Sequence, residues 1–188
     1  MRFLKNRQLS PCELTNGRLL ADCKAGMSGV KTLFLTPYTN LTYTIDGVSG
    51  EIDDIGTVEL FRFEMANGVG NYVENVISSD ESGVAYVEQV LTLVEQHILQ
   101  EDLADLNAMI KGRFIIFAMD YQNNIRCFGM YNGATATGGD SASGTAPADP
   151  KQANIIFTAR ENDFAPFCEA FTSEPFDNMA GVTITPAY

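Results

Sequence analysis

Short runs of Phe, Tyr, Val, Ile and Thr alternate along this chain with Gly, Pro, Asn, Asp and Ser at intervals of roughly 8 to 15 positions, the rhythm of strands joined by tight turns. The pattern predicts strands at residues 31–36, 41–45, 57–65, 72–78, 84–96, 113–119, 125–131, 154–160 and 181–185. Within 57–65, Phe61, Phe63 and Met65 alternate with Arg62 and Glu64, which predicts one buried and one wet face. Two hairpins are legible. SSDESG around Asp80 joins 72–78 to 84–96, and YQNN at residues 121–124 joins 113–119 to 125–131. In the long strand 84–96, Val84, Tyr86, Val90 and Val94 share one face while Val87, Leu91 and Leu93 share the other. Both faces call for cover. A curled sheet supplies it, or a neighbouring subunit does.

One segment changes period. Leu99, Leu103, Leu106 and Ile110 form a helical apolar stripe, with Glu101 and Asp102 at its start, Lys111 at its end and Gly112 beyond. This predicts one amphipathic helix over 98–111. From Asn132 to Asp149 the run NGATATGGDSASGTAPAD holds almost nothing to bury, so it reads as a long flexible loop, a feature that usually serves binding or contact with another chain. The length is that of a single domain over 1–188, with residues 1–29 as an N-terminal arm.

Charge narrows the functional classes. Twelve basic residues against 24 acidic ones leave a net charge of −12, which opposes tight binding of nucleic acid. The longest apolar stretch, FIIFAM at 114–119, suits a buried strand and is far too short to span a bilayer, so no membrane insertion is expected. The opening MRFLKNRQLSP lacks a secretory h-region. Without a signal peptide, the Asn40 sequon is not expected to be glycosylated, and the four cysteines are expected to be free thiols.

A search for chemistry yields little. His97 is the one histidine, no GxSxG elbow accompanies it, and no cysteine stands in a nucleophile motif, so no catalytic residue is assigned. Cys12, Cys23, Cys127 and Cys168 lack metal-ligand spacing, and no metal site is assigned. AGMSGVKT at 25–32 departs from a phosphate loop because Val30 separates Gly29 from Lys31 and a strand follows, so it reads as a turn. Glu51, Asp53 and Asp54 lack the alternation of a calcium loop and read as a solvated turn. No cofactor is expected.

Three stretches, VENVISSDESGVAYVEQVLTLV, LADLNAMIKGRFIIFAMDYQNNIRCFGMYNGATATGGDSASG and NIIFTARENDFAPF, together about half of the chain, resemble the phage tail tube (major tail protein) family in element order and character. The resemblance implies a mainly β fold, a tail-tube-like β-sandwich or half-barrel with one flanking helix. It also implies a non-enzymatic virion structural protein, made in the host cytoplasm, whose hexameric rings stack into a tube that conducts DNA during ejection. Its partners would be copies of itself, other tail proteins and a sheath if the tail is contractile, with DNA passing without specific binding. On this reading Glu64, Glu74 and Glu88 are candidates for lumen-facing carboxylates, plain solvent exposure being the alternative. Val84, Tyr86, Val90 and Val94 are candidates for subunit contact. Asn132, Asp140 and Asp149, with the arm, are candidates for contact between rings. Two alternatives stay open: another phage structural protein such as a tail terminator, connector or head decoration, and a monomeric β-barrel binding module with Phe and Tyr lining a cavity.

Overall fold

The computed structural model describes residues 17, 26–39, 41–66, 68–96, 98–144 and 149–186. In chain order the elements are β1 (Val30–Pro37), β2 (Thr44–Ile45), β3 (Ile52–Asp54), β4 (Val58–Glu64), β5 (Asn71–Ser79), β6 (Val84–Gln96), α1 (Asp102–Lys111), β7 (Arg113–Asp120), β8 (Ile125–Phe128), β9 (Ala134–Ala142), β10 (Gln152–Glu161) and β11 (Val182–Thr185). Nine strands make one mixed sheet in the order β11-β4-β1-β7-β9-β10-β6-β5, with β8 also paired to β7, while β2 and β3 pair separately. The chain is mainly β and sandwich-like.

The sheet turns back on itself at β7. That strand pairs with β8 over Ile116 to Met119 but meets β9 only at Arg113 and Phe114. One half, β11-β4-β1-β7, therefore faces the other, β9-β10-β6-β5, across a shared core. Period-two alternation sorts the side chains. Leu33 and Leu35 of β1 and Ile116 and Ala118 of β7 join Leu91, Leu93, Ile155 and Phe157 between the halves. Phe34, Ile115, Phe117 and Met119 point the opposite way, into a second core closed by Ile52, Cys168, Phe176 and Met179. The continuous apolar run of β7 follows from this: both of its faces are covered. Phe176 stands edge-on to both Phe34 and Phe117, with ring centroids 5.3 and 5.4 Å away.

Every strand expected from the sequence has a counterpart, and both hairpins form, with Ser79 opposite Val84 and Met119 opposite Ile125. The differences are instructive. Residues 132–149 are not one loop: β9 occupies half of the segment and pairs along β10 from Thr135 opposite Thr158 to Ala142 opposite Gln152. A strand of Ala, Thr and Gly brings little apolar area of its own. It is held by the backbone ladder of a well-buried neighbour, a source of stability that side-chain patterning does not display.

The helix begins at Asp102, and only Leu106 and Met109 of it are buried, so the predicted stripe is covered along one edge alone. In β4, Val58 and Leu60 enter the second core while Phe63, and Met65 just beyond the strand, meet the first; Arg62 is nearly covered and Phe61 is exposed, so of the predicted alternation Glu64 keeps its wet position and Arg62 and Phe61 do not. The expected 41–45 strand shrinks to β2, which pairs with β3, so the acidic run at 51–54 is a short strand as well as a turn. The strand expected over 125–131 stops at Phe128, where Gly129 and Gly133, at φ 66° and 71°, turn the chain into β9.

Candidate functional site

The half-sheet β9-β10-β6-β5 has one face on the core and one face free. Along β6, Val87, Gln89, Leu91 and Leu93 are buried, while Val84 is exposed and Tyr86 and Val90 are half-covered. Pairing aligns Val73 with Val90 and Ile77 with Tyr86 on the free face, and Glu88 with Arg160 nearby. Val94 departs from its expected role: at 5% exposure it is buried within its own subunit. Moreover, β6 is paired on both sides, by β5 and β10, so it cannot itself extend the sheet into a neighbour.

That capacity lies with β5. It ends the sheet, and among the described residues nothing pairs with its outer side. Val73, Val76 and Ile77 are all exposed, Val76 by 59%, although they project to both faces of the strand. A nine-residue edge strand with apolar side chains on both faces is a template for pairing with another chain. The consecutive apolar pair Val76-Ile77 is the signal in the sequence that marks it.

The three acidic candidates do not converge. Glu64 lies on β4, on the other half of the sheet, with its side chain largely exposed and 3.6 Å from the Arg62 Nε. Glu88 occupies the free face and accepts from Arg160 Nε and Nη2, each at 3.2 Å. Glu74 points inward. Its side chain is only 7% exposed, one oxygen lies 2.6 Å from Arg126 Nη2, and the other accepts the Ala165 N–H at 2.7 Å. Arg126 in turn donates to the Ala165 carbonyl and lies over the rings of Tyr72, Phe128 and Phe167. Glu74 thus fastens β5 to β8 and to the loop after β10, and a lumen role for it is withdrawn.

The contact candidates on the former loop also divide. Asn132 is tied down, its N–H and side-chain amide bonded to Glu161 and its carbonyl accepting from Arg113. Asp140 lies on β9 and accepts from the Asn154 amide at 3.0 Å. Asp149 is exposed, in the segment leading to β10. His97, Cys12, Cys23, Asn40 and nearly all of the 1–29 arm lie outside the described residues.

The remaining reactive groups are buried. Cys127 and Cys168 are free thiols in the second core beside Tyr43. Burial pushes the Cys168 thiol up to about 12 and raises those of Cys127 and the Tyr43 hydroxyl, so all three stay protonated at neutral pH. Gln89 and Glu161 are buried but satisfied: Gln89 accepts from the Gly129 N–H, and Glu161 accepts from those of Tyr131 and Asn132.

Two open grooves flank α1. One, of about 440 Å³, runs along Leu35, Phe61, Phe63 and Phe114. The other, of about 530 Å³, separates Leu103, Leu106 and Ile110 from β9 and β10. Neither groove was anticipated; the width of the helix stripe was the available sign. Comparison with protein-family models and with curated proteins finds no match to this chain.

Proposed function

We propose that the chain is a self-assembling structural subunit, of the kind that builds a phage tail tube from stacked hexameric rings. The observation that carries this reading is the edge strand β5, which no described residue pairs on its outer side and whose Val73, Val76 and Ile77 are exposed. Continued strand pairing from copy to copy removes that edge, and a heterologous contact of this kind closes into a ring when its rotation allows. The free face of β6, with Val84, Tyr86 and Val90, adjoins the same edge and adds apolar area to the contact. A net charge of −12 suits a conduit, because a wall of like charge keeps DNA from adhering as it passes. With Glu74 committed to Arg126, Glu64 and Glu88 remain the candidate lumen carboxylates.

Negative-stain microscopy of the purified chain over rising concentration tests the reading. Rings or tubes with a central hole support it, and their loss in a Val76→Lys/Ile77→Lys variant assigns the contact to β5. A particle that stays solitary at every concentration refutes it.

A further inference from the structure

A pocket of about 150 Å³ lies where Glu161, the last residue of β10, meets the turn that follows β8. Its lining sorts by exposure. Gln89 and Glu161, 1% and 5% exposed, form the floor with Met130, whereas Tyr131 and Phe164, 61% and 55% exposed, stand at the mouth with Ile45. Period-two alternation puts the carboxylate there. Glu161 follows Phe157 and Ala159 on the core face of β10 and is the charged member of that row. A charge is thus set beneath an apolar rim.

Glu161 is held without a cation. Its Oε1 accepts from the N–H groups of Tyr131 and Asn132 at 3.0 and 2.7 Å, and its Oε2 from the Asn132 side-chain amide at 3.0 Å. All three donors are neutral, and among the described residues no Lys or Arg pairs with this carboxylate. A carboxylate offers about four acceptor positions, so one on Oε2 is still open. Beside it, Gln89 Oε1 accepts from the Gly129 N–H at 3.0 Å and keeps its second lone pair. A buried charge is ordinarily matched by an opposite one, and here the pocket is the place from which the match can come.

The lining selects the cation. A hard metal ion needs several oxygens at once, and among the described residues no three His, Cys, Asp or Glu side chains are placed to hold one. A guanidinium presents a flat fork that matches two free carboxylate oxygens, and here one position is free. An ammonium is compact, and its three donors turn freely. Ile45, Met130 and Pro166 give apolar wall to the methylenes behind it, and Tyr131 and Phe164 bring to the mouth rings whose faces attract a cation. The volume exceeds the roughly 10–15 Å³ that a water needs and falls short of the roughly 300 Å³ of a drug-sized site, so it suits the end of one chain. A net charge of −12 concentrates cations around the molecule. We infer that this pocket binds an alkylammonium group, from a lysine side chain or a free primary amine, with Glu161 as its counter-ion. The site stands whether or not the chain self-assembles.

Hydrogen exchange of the dilute full chain, read by mass spectrometry, tests this. n-Butylammonium chloride should slow exchange, saturably, in the peptides that carry Tyr131 and Asn132 and residues 161–166, whereas n-butanol and sodium chloride at equal concentration should not. Glu161→Gln should weaken the response at least about tenfold, the worth of a hydrogen bond to a charged group. Phe164→Ala should weaken it about two- to fivefold, the worth of one exposed cation–π contact. Urea midpoints verify the fold. Should Glu161→Gln not fold, Phe164→Lys, at an exposed position, sets a like charge at the mouth and should abolish the response. Equal protection by butanol makes the pocket merely apolar, and equal protection by sodium chloride makes the effect one of screening; either overturns the inference. So does a full response in folded Glu161→Gln or Phe164→Lys, or the absence of saturable protection by the amine. Two further arms identify the source of a confirmed ligand. Failure of Nα-acetyl-lysine methylamide where butylammonium succeeds assigns a free amine. Slowing of the same peptides as the chain alone is concentrated assigns a lysine of a second copy.

Discussion

Replacing Arg126 by Leu isolates the interaction that most firmly separates an internal carboxylate from a surface one. The guanidinium lies 2.6 Å from Glu74, donates to the Ala165 carbonyl at 3.1 and 2.8 Å, and is 14% exposed. Its removal leaves Glu74 with the Ala165 N–H alone, in a setting where its side chain is only 7% exposed. Stranding one charge of a buried pair costs about 3–5 kcal/mol, a large share of the roughly 5–15 kcal/mol that holds a domain folded. Urea unfolding followed by circular dichroism reads the loss; with a slope of about 2 kcal/mol per molar, the midpoint should fall by about 1.5–2.5 M. Glu74→Gln, whose amide oxygen still accepts from Ala165, should cost less, and the double variant less than the sum, with a coupling above about 1.5 kcal/mol. The exposed Arg160–Glu88 pair is the internal control, at no more than about 1 kcal/mol for Arg160→Leu. A loss below about 1 kcal/mol for Arg126→Leu, or additivity with Glu74→Gln, would refute the burial argument and return Glu74 to the exposed acids.

Glu95, half-buried beside Asp102, is raised to about 7 by desolvation first and by that neighbour second. Its protonated form is thus favoured in the folded state: the contribution is fully present below the unfolded value of 4.5 and is lost as pH rises to about 7. Glu95→Gln should flatten stability between those limits and raise it at pH 8 by on the order of 1–2 kcal/mol after allowance for solvent screening, and parallel pH curves for the two proteins would contradict this. Gly139→Ala, with its Cβ against the Asn154 carbonyl, should lose at least about 2 kcal/mol in the same urea assay, and a neutral result would show that β9 shifts freely. In a Cys12→Ser/Cys23→Ser chain, Cys127 and Cys168 should resist a thiol reagent until urea unfolds the protein; rapid labelling in buffer would mean that the second core opens.

Alternation and turn residues in the sequence determined most of the strands, the two hairpins and the helix α1, because each depends on neighbours a few residues apart. β7 shows the reach of that logic: its unbroken apolar run required cover on both faces, and both cores supply it. The candidate contacts needed more. Glu64, Glu74 and Glu88 look alike as text, yet one is exposed, one faces Arg160 and one is buried against Arg126, a distinction made by residues 72 and 52 positions away along the chain in the last two cases. β9 was hidden because its stability comes from the ladder to β10, and a ladder leaves no mark on the composition of the strand it holds. Which edges stay unpaired among the described residues, β5 entirely and β9 in part, was decided only when distant strands chose partners. Local side-chain chemistry selects the elements, whereas long-range backbone pairing selects the surfaces they leave open.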